Sequence, residues 1–116
     1  MKRRVGQLRL GPELICERLR TADTMWSRMK GLLGRAGLEP DEGLWIVPCN
    51  AIHMFFMRFA LDAVFLDAEH QVVRVHEQVR PWRMVRGGKH AESVLEPPAG
   101  TAAFFNLRVG DRLTLE

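Results

Sequence analysis

The chain has 116 residues, of which 47% are hydrophobic and 27% are charged. This length fits one domain, residues 1–116, and leaves enough buried surface for a core without metal or disulfide staples. No apolar run approaches the roughly 18 residues needed to cross a bilayer, so we expect a soluble domain without membrane contact. The basic start at residues 1–4 is similar to the first part of a signal peptide, but charged residues interrupt the apolar stretch that should follow. The sequence therefore predicts a cytoplasmic protein.

The net charge of +3 comes from 17 basic and 14 acidic residues. Part of the excess lies between Arg80 and Lys89, where Trp82 is the only aromatic residue. Nucleic-acid binding favours a denser basic stripe with several stacking rings, so we expect no nucleic-acid partner. Two cysteines, Cys16 and Cys49, are too few for a disulfide scaffold and are predicted to be buried free thiols.

The first third of the chain predicts two strands and one helix. The strands, at 5–10 and 14–19, are separated by a Gly-Pro turn signal. A helix is expected within 21–35, because Asp23 or Thr24 can serve as its N-cap and apolar residues follow at helical spacings. Those residues, expected to face the sheet over about three turns, are Met25, Trp26, Met29, Leu32 and Leu33.

The rest of the chain is read as short strands separated by turn residues at intervals of roughly 8–12 residues, the spacing typical of a β-sandwich or barrel. Strands are predicted at 43–47, 61–66, 71–79, 93–96 and 113–115. The apolar run at 52–59 has too few polar breaks for a surface strand, 80–90 is predicted to be a polar loop, and one helical turn is expected after Gly100. The fold class predicted is a mainly β, compact single domain, jelly-roll-like, with one short helix packed on it.

The segment from Pro48 to Asp62 places a thiol, an imidazole, a guanidinium and a carboxylate in an otherwise apolar stretch. Such groups are costly inside a core unless they are paired, so the segment is the candidate site. The predicted ligand-binding residues are Cys49, His53, Arg58, Asp62 and, at the rim, Trp82. In an extended strand Cys49 and His53 would be about 13 Å apart, so spacing alone does not make them a catalytic dyad.

Several separated motifs, in order, closely resemble the DUF192 (UPF0127) family from about Thr21 to the C-terminus. They are Arg28-Met-Lys-Gly31-Leu-Leu-Gly-Arg35, Gly43-Leu-Trp-Ile46, Pro48-Cys49, Ile52-His53, Met57-Arg58-Phe59, Leu61-Asp62, Phe65-Leu66-Asp67, Val94-Leu-Glu96, Gly100 and Gly110-Asp111. The resemblance implies a compact, mainly β, jelly-roll-like domain without an established biochemical activity. Many family members carry a signal peptide or lipoprotein leader, and this chain is expected to carry neither.

Three functional hypotheses follow. The leading one is a binding module for a small polar or anionic ligand or a protein partner, a monomer or weak dimer without metal or cofactor, in which Arg58 could clamp a carboxylate or phosphate. The second is a thiol- or metal-dependent hydrolase using Cys49, His53 and Asp62. The third is a purely structural module, in which Asp62 pairs with Arg28 and pins the helix to the sheet. Glu96 is the least explained acid, and an ion pair at the strand end would account for it.

Overall fold

The computed structural model describes residues 5–116, apart from the side chains of Val5 and Met29. The basic start of the chain lies outside the described residues. In chain order the elements are β1 (Val5–Leu10), β2 (Glu13–Ala22), α1 (Met25–Lys30), β3 (Glu42–Ile46), β4 (Ala51–His53), β5 (Leu61–Leu66), β6 (Val72–Val79), β7 (Met84–Arg86), β8 (Ser93–Glu96), α2 (Thr101–Phe104) and β9 (Thr114–Leu115).

Seven strands form one curled sheet in the order β6-β5-β8-β3-β2-β1-β9, and β4 pairs with β7 in a separate two-stranded ribbon. The β2–β3 pair is parallel, and its connection contains α1. The other pairs are antiparallel, including the predicted β5–β6 hairpin. The prediction of a compact, mainly β domain is confirmed, with the sheet curled into a half-barrel.

The sheet carries a hydrophobic core on each face, because side chains alternate along every strand. All six residues of β5 are buried. Leu61, Ala63 and Phe65 belong to one core, together with Ile52 and Met54 around the β4–β7 ribbon; we call this side the ribbon face. Val64 and Leu66 belong to the other core, which includes Ala102 of α2; we call this side the α2 face.

Helix α1 is shorter than predicted. It begins with Thr24 as N-cap, whose hydroxyl accepts a hydrogen bond from the Ser27 amide, and has six residues. It stops at Gly31, whose φ of 47° is easily adopted only without a side chain. Met25 and Trp26 at the start of α1 are each 71% exposed and Leu33 after its end is 38% exposed, so the predicted burial of the apolar helix face is wrong for these three residues.

The apolar run at 52–59 is not a continuous strand. After β4 the chain turns at Met54, whose amide donates to the Arg83 carbonyl and whose carbonyl accepts from the Trp82 amide, both at 2.7 Å. Met54 is buried, whereas Phe55 and Phe56 are exposed. The predicted polar loop at 80–90 supplies the partner strand β7.

Candidate functional site

A cavity of about 220 Å³ lies on the ribbon face, between the C-terminal end of α1, the segment after β3, β4 and the end of β8. Apolar groups make up much of its wall, among them Leu32, Leu33, Ile46, Ile52, Met54 and Met57. Five side chains with polar or ionisable groups also line it: Arg28, Lys30, Cys49, His53 and Glu96. We call the part formed by the buried Glu96 the inner wall, and the part formed by the more exposed Arg28, Lys30 and His53 the rim.

Glu96 is the buried acid of the inner wall and is only 6% exposed. No hydrogen bond or ion pair reaches its carboxyl group from any of the described residues, so the ion pair predicted at the strand end is not formed. Burial, which penalises the charged form, raises its pKa from 4.5 to about 7. The other buried glutamate, Glu42, instead accepts hydrogen bonds from Arg35 at 2.7 Å and from the Glu39 amide at 2.9 Å. Glu96 is therefore an unpartnered acid facing a cavity.

Cys49 is half-buried and its thiol donates a hydrogen bond to the Ala51 carbonyl at 3.1 Å. Burial raises the pKa of this thiol above its ordinary value, the negative charge of Glu96 adds to the effect, and Arg28 opposes it. A nucleophilic cysteine needs the reverse, because the thiolate is the reactive form. The electrostatics of the site therefore argue against the hydrolase hypothesis.

We expect Cys49 to be a slow nucleophile at neutral pH. In a Cys16→Ala variant, alkylation by iodoacetamide at pH 7 should be several times slower than for the same protein unfolded in urea, because the native thiol holds its proton more tightly and is half-buried. The native rate should rise with pH, and it should do so at a higher pH than the rate of the unfolded thiol, because the native pKa is raised. A thiol pKa that is lower in the native protein than in the unfolded protein would contradict this account and restore the hydrolase hypothesis.

Three further side chains stand at the rim: the exposed Lys30, and Arg28 and His53, which hydrogen-bond to backbone groups. Arg28 is half-buried and donates to the Pro48 carbonyl at 3.0 Å and to the Thr24 carbonyl at 3.4 Å. His53 is exposed; its Nδ1 accepts from the Phe55 amide at 3.4 Å and its ring stacks on that of Phe55, with centroids 4.8 Å apart. Backbone groups thus hold Arg28 and His53 in place.

Asp62 does not belong to this site, and its predicted ion pair with Arg28 is wrong. Its carboxylate is completely buried and accepts hydrogen bonds from the amides of Gln78 (2.8 Å), Gly100 (3.2 Å) and Ala102 (2.8 Å). Gly100 and Ala102 are the N-cap and the second residue of α2, which packs on the opposite face of the sheet from the cavity. Asp62 therefore ties α2 to the sheet and cannot act with Cys49 and His53.

Arg58 and Trp82 are exposed and lie outside the cavity wall. The Trp82 ring is in contact with the rings of Phe56 and Phe55, with centroid distances of 4.8 and 5.9 Å. These three rings form an exposed aromatic cluster at the end of the ribbon. Of the five predicted ligand-binding residues, the structure thus brings only Cys49 and His53 to the cavity.

Sequence reasoning missed Glu96 and Arg28 as members of the cavity. The signal for Glu96 is an ionisable residue in a strand, Ser93–Glu96, whose four residues are all buried. Among the described residues, no group of three or more His, Cys, Asp and Glu side chains is arranged to hold a metal ion. In the same part of the chain, no helix is long and apolar enough to span a membrane.

Comparison with known proteins places the chain in a family. The model of the DUF192 family, described as "Uncharacterized ACR, COG1430", matches residues 10–115. A UPF0127 protein of Thermococcus sibiricus is 33% identical over 107 residues, which cover 85% of this chain and 66% of that protein. The chain thus spans slightly less than two thirds of the length of that relative. The UPF0127 protein PF1050 of Pyrococcus furiosus is 32% identical over 109 residues, covering 89% of this chain and 90% of that one.

The fold also recurs in a solved structure. The crystal structure of a proposed transcription regulator from Sinorhizobium meliloti superposes with a TM-score of 0.87, covering 99% of this chain and 96% of that chain at 22% identity. At this identity the likeness shows the fold alone. The family model and these two relatives decide the assignment: the chain belongs to the DUF192 family of uncharacterised proteins.

Proposed function

We propose that this domain binds a small molecule in the cavity of the ribbon face. The observation that carries the proposal is the unpartnered carboxyl of Glu96, 6% exposed, on the inner wall. Among the described residues, the fully buried side-chain atoms without a hydrogen-bond partner are Trp45 Nε1 and Ser93 Oγ, so the Glu96 oxygens keep some accessible surface at the cavity that they line. A ligand in the cavity can donate to this carboxyl group the hydrogen bonds that no described residue donates.

The charge of the rim supports a polar or anionic ligand. Arg28 and Lys30 place two cations at the cavity, and the one acid there among the described residues is Glu96 on the inner wall. Guanidinium groups suit carboxylates and phosphates because several N–H donors point in one plane. The role that the sequence predicts for Arg58 is therefore transferred to Arg28, and the site extends beyond the segment from Pro48 to Asp62.

A protein partner is the second candidate. The exposed aromatic cluster favours it, because Phe56 is 72%, Trp82 59% and the neighbouring Met84 55% exposed. Aromatic residues and methionine are enriched at protein interfaces. The proposal further places the domain in the cytoplasm as a monomer or weak dimer that does not bind nucleic acid. Two unpaired cysteines, Cys16 and Cys49, support a reducing compartment.

The proposal is tested by a thermal-shift screen of the purified protein against metabolites, sugars and nucleotides. A ligand at 100 times its dissociation constant adds about 2.7 kcal/mol, which raises the melting temperature of a domain this size by several degrees. The hit should be weakened in Glu96→Gln and Arg28→Ala and unchanged in Arg58→Ala, a matched exposed arginine outside the cavity.

The other outcomes are equally informative. A hit that is lost in Arg58→Ala but kept in Arg28→Ala would restore the site predicted from the sequence. No hit across the panel would count against small-molecule binding and favour the protein partner, which would then be sought with Phe56→Ala and Trp82→Ala as the variants expected to lose binding.

A further inference from the structure

We infer that the cavity takes a ligand with a hydrogen-bond donor, a hydroxyl or an ammonium group, at one end, an anionic group at the other, and a short apolar body between them. This inference rests on the proposed function and narrows its ligand to one chemical class. Short ω-hydroxy- and ω-aminocarboxylates are its simplest members. Three features of the cavity carry the inference, one for each part of the ligand.

Glu96 selects the donor end. Its carboxyl group lies on the inner wall, and the described protein residues give it no donor. Above its pKa of about 7 the group is a carboxylate, which accepts hydrogen bonds and donates none, so a hydroxyl or an ammonium group of a ligand can supply the donor that it lacks. A purely aliphatic end would leave the carboxyl group unpaired and is disfavoured.

The wall between the two ends selects an apolar body. Leu32, Ile46, Ile52 and Met54 are buried and belong to the core of the ribbon face, and Met57 packs against them. Each also lines the cavity. Burial of methylene groups on such a surface is favourable, because it removes apolar area from water. Methionine side chains adapt their shape, so the wall accommodates small differences in the ligand.

Arg28 selects the anionic end. Two backbone carbonyls hold its guanidinium, at 3.0 and 3.4 Å, and leave further N–H groups free to donate. Arg28 and Glu96 both line the cavity, yet no ion pair joins them among the described residues. Glu96 is buried, whereas Arg28 is half-buried. The carboxyl group and the guanidinium are therefore apart on the cavity wall, and a ligand that meets both carries its two polar groups at separate ends.

The test is isothermal titration of the protein with ω-hydroxycarboxylates from glycolate to 6-hydroxyhexanoate, with ω-aminocarboxylates of the same lengths, and with alkanoates and alkanols that lack one end group. One chain length should bind at least about tenfold more tightly than its alkanoate and its alkanol, a factor worth about 1.4 kcal/mol. Glu96→Gln should reduce the advantage over the alkanoate, and Arg28→Ala should remove the advantage over the alkanol. Arg58→Ala should change neither.

The outcomes separate the inference from the proposed function. Alkanoates that bind as tightly as the bifunctional acids, with loss in Arg28→Ala, would overturn the inference and leave the small-molecule site intact. Hits in the thermal-shift screen, combined with no binding across the titration series, would likewise overturn the inference and leave the small-molecule site intact. No binding in either experiment would overturn the inference and the proposed function together. A clear preference for the amino series over the hydroxy series identifies ammonium as the donor, and the reverse preference identifies hydroxyl.

Discussion

Glu96→Gln is expected to stabilise the protein by about 3 kcal/mol at pH 8 and to leave its stability nearly unchanged at pH 4. The pKa of Glu96 is raised from 4.5 to about 7, and the side chain is almost fully buried. A neutral amide of the same shape avoids the burial of charge. For a domain of this size the gain at pH 8 corresponds to a melting temperature higher by roughly ten degrees.

The direction of the pH dependence follows from proton binding. The unfolded chain loses the Glu96 proton near pH 4.5, whereas the folded chain keeps it until about pH 7. Between these values the folded state holds more protons, so the contribution of Glu96 to stability is complete below pH 4.5 and is lost as the pH rises through 7. Urea denaturation across this pH range measures the difference in unfolding free energy between the wild-type protein and Glu96→Gln. The contributions of all other titrating groups cancel in that difference. Parallel stability profiles would show that Glu96 is solvated or paired.

Asp62→Ala is expected to destabilise the protein by about 4 kcal/mol, while Arg28→Ala should cost less than about 1 kcal/mol. Removing the carboxylate deprives three amides, of Gln78, Gly100 and Ala102, of their acceptor. Among the described residues, the acceptors of the Arg28 side chain are two backbone carbonyls near the surface of the molecule. Chemical denaturation gives both values, and hydrogen exchange should show α2 as the first region to lose protection in Asp62→Ala.

Asp62→Asn is the conservative control. Asparagine keeps one carbonyl oxygen as an acceptor for Gln78 and Gly100, but its amino group would face the Ala102 amide, so we expect about half the loss seen with alanine. The ion-pair hypothesis makes a different prediction, in which Arg28→Ala and Asp62→Ala each cost about 3–5 kcal/mol. Equal losses in these two variants would therefore reject the hydrogen-bond network described for Asp62.

The strands of the curled sheet were predictable from sequence, because burial favours apolar strand patterns and turn residues mark the ends, whereas the ribbon strands β4 and β7 were not predicted. β1, β5 and β8 have the predicted bounds. The length of α1 was not predictable, because glycines stand at positions 31, 34 and 37 and only the packed chain decides that the helix ends at the first of them. The turn after β4 was missed because its backbone hydrogen bonds go to residues 82 and 83, which are distant in sequence.

Only those residues of the candidate site that lie close together in the sequence were predictable. Cys49 and His53 lie in one short segment, and the clustering of ionisable groups there identified them. Asp62 belongs to the same segment, but the alternation within β5 turns its side chain to the α2 face, where backbone amides take the place of Arg28. Glu96 joins the cavity because β8 lies between β5 and β3, and the sequence does not state this order of strands.

The parallel pairing of β2 with β3 has a consequence for how the domain could diversify. The rim cations Arg28 and Lys30 belong to the connection between these strands, whereas Glu96 belongs to a central strand of the sheet. Connections tolerate substitution and changes of length far better than paired strands do. Evolution or an engineer can therefore exchange the group that meets the outer end of a ligand while the acid at the inner end and the sheet stay fixed. A family with one fold could in this way acquire many ligands.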